Sequence, residues 1–234
     1  MFRRPPIPRG FTLIELLVVI SIIAILAGLL FAILGPVNQL RDQANSASRL
    51  RQWGVALGAY VADNNGSLPR RGQGVQAVQQ LSRPTDWFNA LPPYLGQPGY
   101  GQLISAGQRP AAGANSIFVR PGAKDPGGIA FLGYAMNMNL SPWNLTNATM
   151  LSQVAHPSLV VFLAEGTGQY SSTYPSRQPY SCQAPFRGQG DILFLDGHVG
   201  SFSATYLGVN KGDPGRPDVS WLTGTVSDAQ AAQY

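Results

Sequence analysis

Hydrophobic positions divide the chain into three regimes. From Leu16 to Leu34, nineteen consecutive residues carry no charge: LLVVISIIAILAGLLFAIL. As a helix rising ~1.5 Å per residue the run reaches ~28 Å, about the depth of a bilayer's ~30 Å hydrocarbon core. After Gly35-Pro36 the pattern turns from continuous to periodic. Val37, Leu40, Ala44, Ala47, Leu50, Trp53, Leu57, Tyr60 and Val61 form a stripe at steps of three and four, while Arg41, Asp42, Arg49, Arg51 and Gln52 mostly fall on other faces. Asp63-Asn64-Asn65-Gly66 supplies a stop. The spacing predicts one long helix from about Thr12 to Val61, bent near Pro36, because proline removes a backbone donor and crowds the preceding turn. Two helices joined at Pro36 are the alternative.

The third regime is mixed. Between Gly66 and Gly128, short apolar runs are scattered among Gly, Pro, Gln and Ser. Trp87-Phe88 and Leu91-Pro92-Pro93-Tyr94-Leu95 read as loop anchors that bury aromatic rings. Strand patterns follow at Ile129–Met136, Leu159–Ala164 and Ile192–Leu195. Asp196-Gly197, followed by His198–Phe202, predicts a tight hairpin turn. Beyond Leu207 the chain is polar and turn-rich, expected as a strand or coil wrapping the rest. The fold class expected is α+β: a long N-terminal helix packed on a small antiparallel sheet with long loops.

Composition removes several classes. The formal charge is +5, yet Arg3, Arg4 and Arg9 lie in the first ten residues, and without them 13 basic residues face 11 acidic ones. The basicity is an N-terminal tag, so a nucleic-acid face is not expected. The lone Cys182 excludes an internal disulfide framework and any multi-cysteine zinc site, and with only His156 and His198 a three-histidine metal centre is excluded too. Arginines before the apolar run, with the mixed pair Arg41-Asp42 after it, place the N-terminus in the cytoplasm and the bulk of the chain outside. An ordinary secretory signal has an apolar core of about 7–15 residues and a small-residue cut site. This core is longer and runs on into helix-forming sequence.

Glu15 stands at the edge of the apolar run, where a carboxylate is expensive and usually has a partner and a role. Its context is Arg9-Gly10-Phe11-Thr12-Leu13-Ile14-Glu15-Leu16. A short basic leader, a glycine and Phe-Thr-Leu-Ile-Glu resemble the class III signal of type IV prepilins and type II secretion pseudopilins, over about Arg9–Leu34. The resemblance implies cleavage between Gly10 and Phe11 by a membrane-embedded prepilin peptidase, N-methylation of Phe11, and assembly with other pilin-like subunits on an inner-membrane platform. It divides the chain into a leader (1–10), a transmembrane half-helix (11–35), an amphipathic half-helix (36–65) and a periplasmic or extracellular head (66–234). Cutting at Gly10 leaves an ammonium on Phe11, one helical turn from Glu15, now the fifth residue. A buried carboxylate seeks a cation, and in a filament of staggered helices the neighbour's Phe11 amine supplies one. Gly10 suits the cut because a small residue lets the backbone approach the peptidase.

A second resemblance lies near the end. Gly190-Asp191-Ile192-Leu193-Phe194-Leu195-Asp196-Gly197-His198-Val199 is similar to the closing segment of pilin-like proteins named for a His, nine residues and Asp-Gly, as are Gly133–Asn137 and Val160–Glu165 to other recurrent segments. The naming His falls on Phe186, and the usual Cys-Pro is Arg120-Pro121. Roles carried by that His or Cys are therefore not transferred.

No catalytic constellation emerges. Cys182 with His156 or His198 is a weak thiol dyad. Asp191 and Asp196 are five apart along a strand, so their side chains point to opposite faces. Gly72-Gln73-Gly74 and Gly188-Gln189-Gly190 lack the further glycine and helix start of a phosphate loop. Asn144-Leu145-Thr146 and Asn147-Ala148-Thr149 have sequon form but read as a polar loop. No cofactor is expected. Resemblance to major pseudopilins leaves room for calcium in a C-terminal loop, where Asp213, Asp218 and Asp228 offer oxygens without EF-hand spacing. Two functions stay open: a structural pilin-like subunit of a pseudopilus or type IV pilus, and a membrane-anchored enzyme or binding module that uses the signal for targeting.

Overall fold

The computed structural model describes residues 11–72, 77–141, 149–175, 181–209 and 219–222, and for 32–36 the backbone alone. Gly10, the sequon residues Asn144–Ala148, and Asp213, Asp218 and Asp228 lie outside the described residues. The chain divides into two units, residues 1–40 and 41–234.

Helix α1 spans Leu13–Asp63 as one element, Pro36 included, and the two-helix alternative is not observed. In the first unit its residues Leu13–Phe31 form a stretch of 19 residues long and apolar enough to cross a membrane, and none of it is buried. In the second unit α1 ends where the stop was expected. Asn65 (φ 53°) and Gly66 (φ 83°) enter the left-handed region, and Gly66 N–H donates back to Val61 O at 2.9 Å.

The second unit adds strands β1 (Leu132–Asn137), β2 (Val161–Gly168), β3 (Ser172–Thr173), β4 (Gln189–Phe194) and β5 (Val199–Ser203) in one sheet, ordered β3-β1-β2-β4-β5. The sheet is mixed. The pairs β1–β2, β2–β4 and β4–β5 are antiparallel as expected, but β3 joins β1 in parallel. That pair is a correction, and it arises because the chain beyond β2 returns across the end of β1: Met136 N–H donates to Ser171 O at 2.9 Å. The Asp196-Gly197 hairpin is present, with Gly197 at φ 93°. Past the short helix α2 (Ala204–Leu207), Ser220 bridges Val160 in parallel, so residues 219–222 lie along the start of β2.

Two clusters make the core. On one sheet face Leu132, Tyr134, Met136, Leu163 and Leu193 pack with Leu50, Trp53 and Leu57 of α1. On the other, Val161, Ala164, Ile192 and Phe194 pack with Cys182, Leu207 and Trp221. The anchors Trp87-Phe88 and Leu91-Pro92 are buried as expected, though in a helical turn (Trp87–Ala90) and a 3₁₀ turn (Pro92–Leu95) rather than a loop. Trp53 meets Trp87 edge-on with centroids 5.2 Å apart, and Tyr100 meets Phe118 at 5.0 Å. The indole N–H groups of Trp53 and Trp87 are both satisfied: Trp53 donates to Ile117 O (3.2 Å) and Trp87 to Ser171 O (2.8 Å).

The expected apolar stripe needs one correction. Val37, Leu40 and Ala44 are exposed, whereas polar Ser46 is fully buried. Fully buried residues of the stripe begin only at Leu50; one turn earlier the helix meets the sheet through Ser46, where the sheet itself is polar.

Two glycines in α1 give opposite expectations. A Cβ on Gly54 would sit 3.0 Å from Gly197 O and 3.1 Å from Leu193 Cδ1, so the helix touches the hairpin turn there. A Cβ on Gly58 meets nothing within 4 Å. Gly54→Val should lower the unfolding free energy of the head by ~1–3 kcal/mol through overpacking. Gly58→Ala should raise it by ~0.5–1 kcal/mol through helix propensity. Denaturant unfolding of the full chain in detergent, read by near-ultraviolet circular dichroism, checks both signs.

Candidate functional sites on the N-terminal helix

The first site is the start of α1. Thr12 N–H and Oγ1–H both donate to Glu15 Oε2, at 2.8 and 2.6 Å, and Glu15 N–H donates to Thr12 Oγ1 at 3.3 Å. This is a capping box: the residue before the helix and the third residue within it satisfy each other's backbone N–H groups. The Thr-x-x-Glu pattern ahead of an apolar run signals it in the sequence, where the reading of Glu15 sought only a partner on a neighbouring subunit. Phe11, 72% exposed, precedes the cap. Within one chain Glu15 therefore orders the first turn. Both donated bonds fall on Oε2.

The second site lies where α1 covers the sheet, and sequence reasoning missed it. Register sets Tyr134 of β1 opposite Glu165 of β2, continues from Ala164↔Ile192 to put Glu165 beside Asp191 of β4, and sets Asp191 opposite Ser201 of β5. Cross-strand neighbours share a face. These four residues form a polar row across the sheet on the face that also carries Leu163 and Leu193.

Helix α1 closes the row with Gln43 and Ser46, one turn apart. Ser46 Oγ–H donates to Glu165 Oε1 at 2.6 Å and lies 3.1 Å from Tyr134 OH. Asp191 N–H donates to Glu165 Oε2 at 3.2 Å. Ser201 Oγ–H donates to Asp191 Oδ1, and Gln43 Nε2 reaches the same oxygen at 3.4 Å. Asp191 Oδ2 is buried with no hydrogen-bond partner among the described residues.

Two adjacent buried carboxyls cannot both ionise cheaply. Burial pushes Glu165 up to about 8, opposed by the Ser46 hydrogen bond and reinforced by the Asp191 charge. Burial also raises Asp191, against its bonds from Ser201 and Gln43. Glu165 therefore holds a proton near neutrality. The 2.6 Å contact serves either state: the acid donates to Ser46 Oγ, which passes its own proton toward Tyr134, or the carboxylate accepts from Ser46.

Other expected residues are scattered. Cys182 is buried with its thiol directed at Leu207 O (3.9 Å). His198 stacks on Phe194 with centroids 4.1 Å apart and bonds Asp196 Oδ1 at 2.6 Å, while His156 is exposed. The weighed thiol dyad is not assembled. Asp191 lies in the buried row and Asp196 in the exposed turn, so the two are separated as expected. Among the described residues no three His, Cys, Asp or Glu side chains converge on a metal position. Arg120 and Phe186, the two departures from the C-terminal pattern, meet each other: the guanidinium lies 5.8 Å from the ring centroid.

The family model for the prokaryotic N-terminal methylation motif matches residues 8–31. The chain carries a prepilin-type N-terminus. The match spans Gly10, Phe11 and Glu15 and ends in the exposed apolar stretch, as in type IV pilin-like proteins. No curated protein and no solved structure matches the chain.

The buried row gives a pH dependence. A carboxyl whose folded value lies near 8 against an ordinary ~4.3 contributes stability that is complete below the ordinary value. That contribution declines as pH rises and is lost above about 8. Asp86, buried beside Arg83 (3.3 Å) and pushed up to about 6, is already largely ionised above about pH 7. Between about pH 7 and pH 9 the head should therefore lose stability, and Glu165→Gln should flatten that slope and be the more stable form at the alkaline end. Thermal unfolding across that window checks it.

Proposed function

We propose that the chain is a structural, non-enzymatic subunit of a pilin-like filament. A prepilin peptidase cuts it between Gly10 and Phe11, Phe11 is N-methylated, and the N-terminal helix packs it with other pilin-like subunits into a type II secretion pseudopilus or a type IV pilus-like filament. The observation that carries this reading is the methylation motif over residues 8–31. It coincides with an apolar helical surface, Leu13–Phe31, that no other described residue covers. Exposed apolar side chains in a contiguous stretch need a membrane or a partner.

In this reading the unassembled subunit sits in the bacterial inner membrane with Arg3, Arg4 and Arg9 on the cytoplasmic side and the head outside. Its partners are the peptidase, an inner-membrane assembly platform and sister subunits. Glu15 then has two successive tasks. In the free subunit its Oε2 caps α1 through Thr12. In the filament its charge pairs with the Phe11 ammonium of a neighbour, an interaction that sets register more than it adds net stability.

Gly10→Leu should leave the leader attached. Two substitutions at position 15 separate capping from charge. A glutamine caps as glutamate does, so Glu15→Gln keeps the cap and removes the charge. Both Glu15→Ala and Glu15→Gln should be cut normally, and both should enter filaments roughly a hundredfold less or worse, because each leaves an incoming ammonium unpaired. Sheared-filament yield at matched protein levels measures this. Normal assembly of Glu15→Gln would reduce Glu15 to a helix cap and overturn the pairing.

A further inference from the structure

A groove of about 1000 Å³ opens between the end of α1, the 81–85 segment, the turns at 87–95 and the helix Tyr100–Ser105. Tyr60 and Tyr94 meet edge-on in it with centroids 6.0 Å apart. Asn64 Nδ2 holds that pair, donating to Tyr60 O at 2.8 Å and reaching Tyr94 OH at 3.5 Å.

The opposite wall is built on one side chain. Asn89 Nδ2 donates to Leu81 O (2.7 Å) and Arg83 O (2.8 Å), and its Oδ1 accepts from Gly101 N–H (2.8 Å). Gly99 N–H donates to Gln102 Oε1 at 3.0 Å. These bonds fix the wall, and they also restrict what can bind there. Leu81 O, Arg83 O, Gly99 N–H and Gly101 N–H are all taken by side chains. An extended peptide finds none of these backbone groups open for main-chain pairing, and the Gly99 and Gly101 N–H groups are closed to an anion.

What the groove offers instead is neutral and hydroxyl-like. None of the described residues that line it is charged. Exposed Ser82 and Thr85 hydroxyls, the Gln102 amide and the two phenols supply donors and acceptors around an aromatic floor. That combination matches a ligand with an apolar C–H face and a rim of neutral hydroxyls. We propose that this groove binds a neutral oligosaccharide, with a sugar ring against the Tyr60–Tyr94 pair and its hydroxyls bonded to Ser82, Thr85 and Gln102. The assignment is independent of the pilin-like reading, since it uses the head alone.

The test uses the full chain in a polyoxyethylene detergent, which carries no sugar headgroup. Cellohexaose, maltohexaose, laminarihexaose and chitohexaose are titrated by calorimetry, with saturation-transfer NMR as the second readout. At least one should bind with millimolar affinity or better. Ala106→Trp fills the groove from an exposed position and breaks no bond, so it should abolish binding. Tyr94→Ala should weaken it about tenfold or more. Circular dichroism of each variant controls for folding. Binding of none of the four, or binding untouched by Ala106→Trp, overturns the proposal. So does seating of a proline-rich peptide or of polygalacturonate in the groove in place of the neutral sugars.

Discussion

A carboxyl group buried in a core must be neutral or fully partnered, and the packing of helix on sheet in this molecule follows from that requirement. Glu165 is wholly excluded from water in the middle of β2, with Asp191 beside it on β4. The cover laid over them has to be polar at that point and apolar everywhere else. Helix α1 meets this with Gln43 and Ser46 over the acids and Leu50, Trp53 and Leu57 over the apolar face. Sliding the helix by one turn in one direction would set Leu50 on Glu165, and in the other would set Ser46 on hydrocarbon. We therefore assign the row a role in fixing register, a use of buried polar groups that replaces stability with specificity.

The same helix has a different task at its start. There it is buried by none of the other described residues, and a capping box orders its first turn. One element thus carries two surfaces of opposite logic. From Gln43 onward its inner face is spent on the head, whereas from Leu13 to Phe31 the whole circumference is left for a solvent or partner as apolar as itself. The prepilin-type motif lies at the second surface, and the packed core of the sheet lies against the first.

Local patterns were legible in the sequence. The apolar run, the helix stop at Asp63–Gly66 and the Asp196-Gly197 hairpin each depend on neighbours within a few residues. The buried row was not legible, because it joins positions 43, 46, 134, 165, 191 and 201 through a sheet order that sequence does not display. Glu165 and Asp191 look like ordinary solvent-facing residues until the strands are paired, and Ser46 looks like a break in the apolar stripe rather than its polar continuation. The parallel pair of β3 with β1 is two residues long and leaves no periodic trace. Thr12-x-x-Glu15 is different: it is entirely local, and the charge of Glu15 drew the reading away from the cap.

We propose that this chain reaches its working form only after losing its leader. Intact mass and N-terminal fragmentation of the protein extracted from the membranes of its native host test that most directly. One species is expected, beginning at Phe11 and carrying a single methyl group on its amine. A chain that begins at Met1, or that starts after Gly28 or Gly35 within the apolar helix, would contradict it.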